Sequence, residues 1–594
     1  MAKDLGLWRE RTHRWFRQWK STLPAILMGV VLFLVCMNVG GRNVSSVGMV
    51  FLFYLRGLWS RHLSFKAYTV DFLTVSVSAL VGVAATLHYP LCLVLNAAWM
   101  LLVTIWYGDD FQPRSYFLYG FAFVLGQMNR CTVTDLGRCA LACVLCGVLI
   151  ALFVAVMKRL RPTPDPGEKA LLAAFAELTD RLAALEGGPR SYRTIVAPAT
   201  NYAKAIYGDV LKQWGKLNKG QAWYFATLTC LEQIRLMIRQ SLDQDRVLTE
   251  EVERYYQRMR QALWLHEVSD EALAALRDRV EKLLATPAPR HSHRWKAALR
   301  DLLSQLDLRE DRKSRSWSVR AALGVKLRQL RQGLSMENAW VRFAVKTTVL
   351  NTLTFALVYP MPFVRRVWVP MTVYCILNVF HKDERKQAYE RMVGTILGVL
   401  LFALVTEFIP GDQTVKSMVF LFVGFSIMFS IQDTRIITLI GTQISVQSLW
   451  ARSMTVSQAL EGRFLSILAA AACACAGGFI LFRVEKGDLV RNHTRDTADN
   501  LRRLMAGLRD RKGTGEGELL LRNLLAIDAT ERLLAGETDP AAARCLEELL
   551  PRSYALQARL IQLFLVLRHR TILGVEWEEL SEDMERLDAA LAAL

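Results

Sequence analysis

Long uncharged apolar runs gather in two blocks, about residues 21–157 and 341–482, on either side of a strongly charged stretch. A straight helical crossing of a bilayer takes roughly 20 such residues. A backbone placed in lipid must also satisfy its own hydrogen bonds, which for runs of this length means helix. The first block divides into runs at residues 23–41, 44–60, 68–87, 90–107, 115–130 and 137–157; the second into runs at 341–359, 363–380, 389–408, 415–431, 435–451 and 462–483. The uncharged stretch 72–108 has room for two crossings, and His88, Tyr89 and Pro90 supply the turn because proline cannot continue the helix there. Runs such as 43–55 and 367–380 are shorter than a full crossing, so their charged ends must reach the interface or face a protected interior.

These runs predict an all-α polytopic membrane protein with two six-helix transmembrane blocks, each followed by a cytosolic helical domain. The expected divisions are an interfacial N-terminal helix (1–22), the first transmembrane block (23–157), and a cytosolic bundle ending in a basic juxtamembrane helix (158–340). The second transmembrane block (341–483) and a C-terminal cytosolic helical domain (484–594) complete the chain. A composition 52% hydrophobic and 22% charged agrees with that plan. In 168–335, leucine and alanine recur at helical spacing; Phe175, Leu178, Leu182 and Leu185 form one stripe, Leu273, Leu276, Val280 and Leu283 another.

The formal charge of +19 lies in the membrane blocks and at their borders. Basic residues beside apolar spans fit anionic lipid or an anionic solute and argue against nucleic acid, which would need a compact basic module. Trp8, Trp15 and Trp19 alternate with Arg9, Arg11, Arg14 and Arg17, the pattern of a helix lying in the cytoplasmic interface. Arg56, Arg61 and Lys66 then mark an inner loop, and Lys158, Arg159 and Arg161 a return to the cytosol. Both termini are therefore expected inside an inner (plasma) membrane. The basic segment 312–331 is expected to dock on anionic headgroups.

The 11 cysteines show no disulfide spacing. Cys139, Cys143 and Cys146 share a helical face without a histidine, so small-residue packing is expected there and no metal. No phosphate-binding glycine loop or hydrolase motif is found, so neither a cofactor nor catalysis is expected. The two halves repeat one plan: Gly137 and Arg138 open span six as Gly462 and Arg463 open span twelve. Ser78 and Gly82 likewise stand where Gly394 and Gly398 stand in span nine. Small residues four apart let helix backbones approach closely.

Residues 364–403 hold the densest pattern. Trp368, Pro370 and Thr372 lead to a charged patch at 381–386, expected to be a cytosolic loop, and then to Arg391, Gly394, Thr395 and Gly398. Together with Arg342 and Lys346 entering span seven and the Gly462-Arg463 entry to span twelve, this resembles the fusaric acid resistance and aromatic acid exporter superfamily, which is related to the aluminium-activated malate transporters. The resemblance covers mainly the second half and implies an inner-membrane protein moving small organic anions, often aromatic, outward.

Charge inside a span is costly unless it meets water, a counter-charge or a solute, and a guanidinium matches a carboxylate as a planar fork. The substrate-path candidates are Arg56, Arg138, Arg342, Lys346, Arg391, Arg435 and Arg463, with Thr372, Tyr374 and Asn378 of span eight and Thr442 and Ser445 of span eleven. Each cation is also placed to be an anchor reaching the headgroups, and the span-eleven hydroxyls to be bonds between helices. The leading expectation is a secondary exporter of organic anions whose cytosolic bundles brace or dimerise the halves. An anion channel, or a scaffold that transports nothing and binds a cytosolic partner, are the alternatives.

Overall fold

The structure is a computed structural model. It describes residues 22–41, 43–59, 65–108, 114–160, 165–183, 197–212, 219–244, 250–287, 293–307, 335–336, 338–360, 363–408, 456–481, 486–509 and 516–534, with isolated positions at 422, 424, 582, 585, 586 and 589. The interfacial helix expected over 1–22, except for Thr22, the basic segment 312–331, span ten apart from Phe422 and Gly424, and span eleven, with Arg435, Thr442 and Ser445, lie outside these residues. All regular structure among the described residues is helical. The chain divides into two compact units, each drawing on both halves: residues 1–162 with 330–485, and residues 163–329 with 486–594.

In the first unit, α1 (Thr22–Gly40), α2 (Ser45–Trp59), α3 (Phe65–Ala85), α4 (Tyr89–Tyr107), α5 (Phe117–Gly126) and α6 (Val133–Leu160) come from the first half. The second half adds α13 (Ala339–Val358), α14 (Phe363–Ile376), α15 (His381–Phe408) and α16 (Val456–Ile480). Six of these helices are long and apolar enough to cross a membrane: α1, α3, α4, α6, α13 and α16. Their exposed apolar faces follow helical spacing. On α6, Leu141, Val144, Val148 and Leu152 face outward while Cys139, Cys143, Cys146 and Ile150 are buried, and Cys146 Sγ lies 3.6 Å from Cys36 Sγ of α1.

Local chemistry fixes the helix starts. Pro90 stands in the first turn of α4, where its missing N–H costs nothing. Asn338 caps α13 through the Trp340 N–H at 2.9 Å. At the start of α6, the Thr132 hydroxyl and N–H both donate to Asp135 Oδ2 at 2.9 Å, and the Asp135 N–H reaches back to the Thr132 oxygen. That reciprocal arrangement is a capping box built with aspartate.

Two expectations, one of a span and one of a loop, are corrected. The run at 115–130 holds only the 10-residue helix α5, too short to cross, because it is a core element: every residue from Tyr119 to Gly126 is buried. It packs on α3, where a Cβ added at Gly82 or Gly126 would strike the opposing backbone. Ser78 on the same helix is buried and accepts from Trp99 Nε1 at 3.3 Å. The patch at 381–386 is not a loop; it forms the first turns of the 28-residue α15. The break from α14 is confined to residues 377–380. At about 1.5 Å per residue, a helix of this length outreaches a hydrocarbon core. Gly394 and Gly398 are buried on α15, which packs against α16.

In the second unit, α7 (Pro166–Ala183), α8 (Ala197–Lys212), α9 (Lys219–Gln244), α10 (Glu250–Ala262), α11 (Asp270–Ala285) and α12 (His293–Asp307) are joined by α17 (Lys486–Arg509) and α18 (Glu516–Leu534). Of the anticipated stripes, Phe175, Leu178 and Leu182 on α7, and Leu273, Leu276, Val280 and Leu283 on α11, are buried, and Leu185 lies outside the described residues. Ser269 caps α11 by accepting from Ala272 N at 3.1 Å. α18 packs on α8, where Lys204 and Asp528 pair at 2.8 Å.

Candidate functional site

Within α14, Trp368, Thr372 and Cys375 recur at spacings of four and three and so share one face. Arg463, near the start of α16, meets that face. Its guanidinium carbon lies 4.7 Å from the centre of the Trp368 ring, and Nη1 donates to Thr372 Oγ1 at 3.4 Å. Arg463 is only 2% exposed. Its charge neighbours are Arg391 and Cys375, and no carboxylate pairs with it among the described residues. The Nε atoms of Arg391 and Arg463 are both buried without a partner there. Two like charges held close in a low-dielectric surrounding repel, so an anion entering beside them is stabilised by both.

Next to this pair is a cavity of about 50 Å³, lined by Arg114, Tyr116, Phe117, Cys375, Leu377, Asn378, Gln387 and Arg391. Gln387 organises its floor. With the amide turned to suit its surroundings, the nitrogen donates to the carbonyls of Cys375 (3.1 Å) and Ile376 (3.2 Å), the last of α14. The oxygen accepts from Arg114 and from Asn378 Nδ2 at 3.1 Å. Phe117 stacks on Tyr374 with ring centres 5.4 Å apart, and Tyr116 meets Tyr374 edge-on. The lining is therefore cationic on one side and aromatic on another, with amides between.

The sequence candidates separate on this geometry. Arg391 and Asn378 line the cavity, and Arg463 with its partner Thr372 stands beside Arg391. Lys346 is 1% exposed but pairs with Glu384 at 2.7 Å, so its charge is neutralised. The Tyr374 hydroxyl donates to the Phe117 carbonyl at 3.0 Å, and its ring fills the space a side chain at Gly120 would take, so it joins α14 to α5. Arg342 and Arg56 are half-buried, Arg56 in the last turn of α2, and Arg138 is exposed at the head of α6.

Sequence reading missed Arg114, Tyr116, Phe117, Cys375, Glu384 and Gln387. The signal for two of these was present: Glu384, Gln387 and Arg391 fall three and four apart, one face of a helix, once the charged patch is read as helical. Missed too was an amide cluster joining the halves. Asn96 Nδ2 donates to Gln127 Oε1 at 2.8 Å, and Asn351 Nδ2 donates to Asn96 Oδ1 at 3.0 Å, all fully or nearly fully buried.

Apolar membrane-length helices enclosing buried charge define the class, a multi-pass membrane protein of all-helical build. Residues 352–477, from within α13 to within α16, match the family model described as fusaric acid resistance protein-like, which supports the fusaric acid resistance superfamily. That match and the apolar helices together suggest a membrane transporter. The matched segment includes Thr372, Asn378, Arg391 and Arg463. No curated protein and no solved structure matches the chain.

Proposed function

We propose that this protein carries small organic anions, aromatic or carboxylic, across the inner membrane, outward, and that the solute binds at the cavity beside Arg391 and Arg463. The observation that carries this reading is a buried Arg463 beside a half-buried Arg391 whose Nε is buried, neither with a carboxylate partner among the described residues. In lipid such charge is retained where it serves a solute or ion path. Arg391 and Arg114 offer the fork that a carboxylate accepts, and Tyr116 and Phe117 offer a ring face or edge to an aromatic body.

The cavity's size supports a carrier over a standing pore. Its roughly 50 Å³ is about a third of an apolar cavity known to take benzene, so loading requires the walls to move apart. Cytosolic termini rest on the basic loops and flanks of the sequence, and outward movement on the resemblance to the fusaric acid resistance and aromatic acid exporter superfamily.

The test is flux of aromatic and dicarboxylic acids into proteoliposomes. Saturable flux of at least one such acid is expected, reduced about tenfold or more in Arg391→Ala and Arg463→Ala, as loss of a charge-assisted hydrogen bond implies. Unchanged flux in both variants at equal protein level removes the site, and ohmic current without saturation replaces the carrier with a channel.

A further inference from the structure

Residues 377–380 interrupt the helices: the Leu377 N–H still reaches the Val373 carbonyl and the Phe380 carbonyl accepts from the Glu384 N–H, but the groups between them must find partners other than the helix ladder. Lys346 and Glu384 supply them for one residue. Lys346 Nζ donates to the Asn378 carbonyl at 3.0 Å, and Glu384 Oε1 accepts from the Asn378 N–H at 3.1 Å. The two side chains, 1% and 0% exposed, are themselves 2.7 Å apart. Asn378 is thus gripped at both its donor and its acceptor, and it is Asn378 that lines the cavity and bonds Gln387. We propose that Lys346 and Glu384 are a positioning pair for the anion site: they set where Asn378 and, through it, Gln387 stand, and they contact no solute.

This rests on the reading of the cavity as the anion site. A buried ion pair is a poor source of net stability compared with apolar side chains of the same volume, whereas it fixes geometry between three elements: α13, the break and the head of α15. As a pair it is neutral and adds no net charge to the field of Arg391 and Arg463.

Neutrality makes the test one of sign. If Lys346 and Glu384 acted by charge alone, Lys346→Met would weaken anion binding and Glu384→Gln would tighten it, since the second change raises the site's net charge by one. A positioning role weakens binding in both. The double variant Lys346→Met, Glu384→Leu keeps net charge, leaves no unpaired buried ion, and is expected to fold even where a single variant does not.

Binding of radiolabelled benzoate and malate is measured on the full chain in lipid nanodiscs, with the melting temperature of each variant alongside. The expected result is Kd about tenfold weaker in Glu384→Gln and in the double variant, the factor for a contact of ordinary hydrogen-bond strength, in protein that melts near wild type. Tighter or unchanged binding in Glu384→Gln, or wild-type Kd in the double variant, overturns the role while leaving the anion site standing. Failure of the wild-type chain to bind either probe overturns the anion site and this role with it.

Discussion

A cation over an indole face, bonded to one hydroxyl, is how Arg463 is held, and each feature makes a separate demand on the residue there. Lysine keeps the charge but loses the planar fork and much of the stacking. Arg463→Lys is therefore expected to retain a measurable fraction of flux and Arg463→Ala almost none, with equal membrane levels by immunoblot. At Asn351 the consequence is for stability. Its amide donates to Asn96 from a fully buried position, and since Asn96 Oδ1 keeps a second donor in Gln127 Nε2 at 3.2 Å, Asn351→Leu forfeits one buried hydrogen bond at a cost of about 0.5–1.5 kcal/mol. A lower melting temperature in detergent is the expected reading. Charged residues near spans were easy to find in the sequence, but their partners were not. Lys346 and Glu384 are 38 positions apart, and no local periodicity links them.

Among the elements, α3 and α5 set the closest approach. Gly82 faces the Phe123 carbonyl and Gly126 faces that of Ala79. Added side-chain volume has only backbone to push, at about 1–3 kcal/mol for an overpacked site. Gly82→Val is expected to cut the yield of monodisperse protein in size-exclusion profiles, while a change at Gly137, where a Cβ meets nothing within 4 Å, leaves it intact. In the second unit, Ser269→Ala removes the cap of α11 and is expected to cost about 1 kcal/mol in thermal melts without altering flux. Among the described residues, helix existence was legible because apolar length and 3.6-residue spacing encode it. Helix ends were not: α5 is apolar enough for a span and stops at Gly126, and α15 begins inside a charged patch that reads as a loop. In both places tertiary packing decides, burying all of α5's second half and drawing Glu384 inward.

At the scale of the molecule, the order of apolar and charged blocks along the chain was legible, and the way they fold back together was not. Residues 163–329 and 486–594 form one compact unit, with α18 seated on α8. The Lys204–Asp528 pair within that unit is partly exposed, so a double-mutant cycle is expected to give a coupling of about 0–1 kcal/mol.

The amides of Asn96, Gln127 and Asn351 form one buried cluster across the chain: the first half contributes two members and the second half the third. A hybrid whose first half comes from a chain without Asn96 leaves the Asn351 amide a donor without its acceptor, deep in the protein interior, unless that amide travels too. The halves are thus bound to change in step, and any record of their divergence should show those three positions altering together.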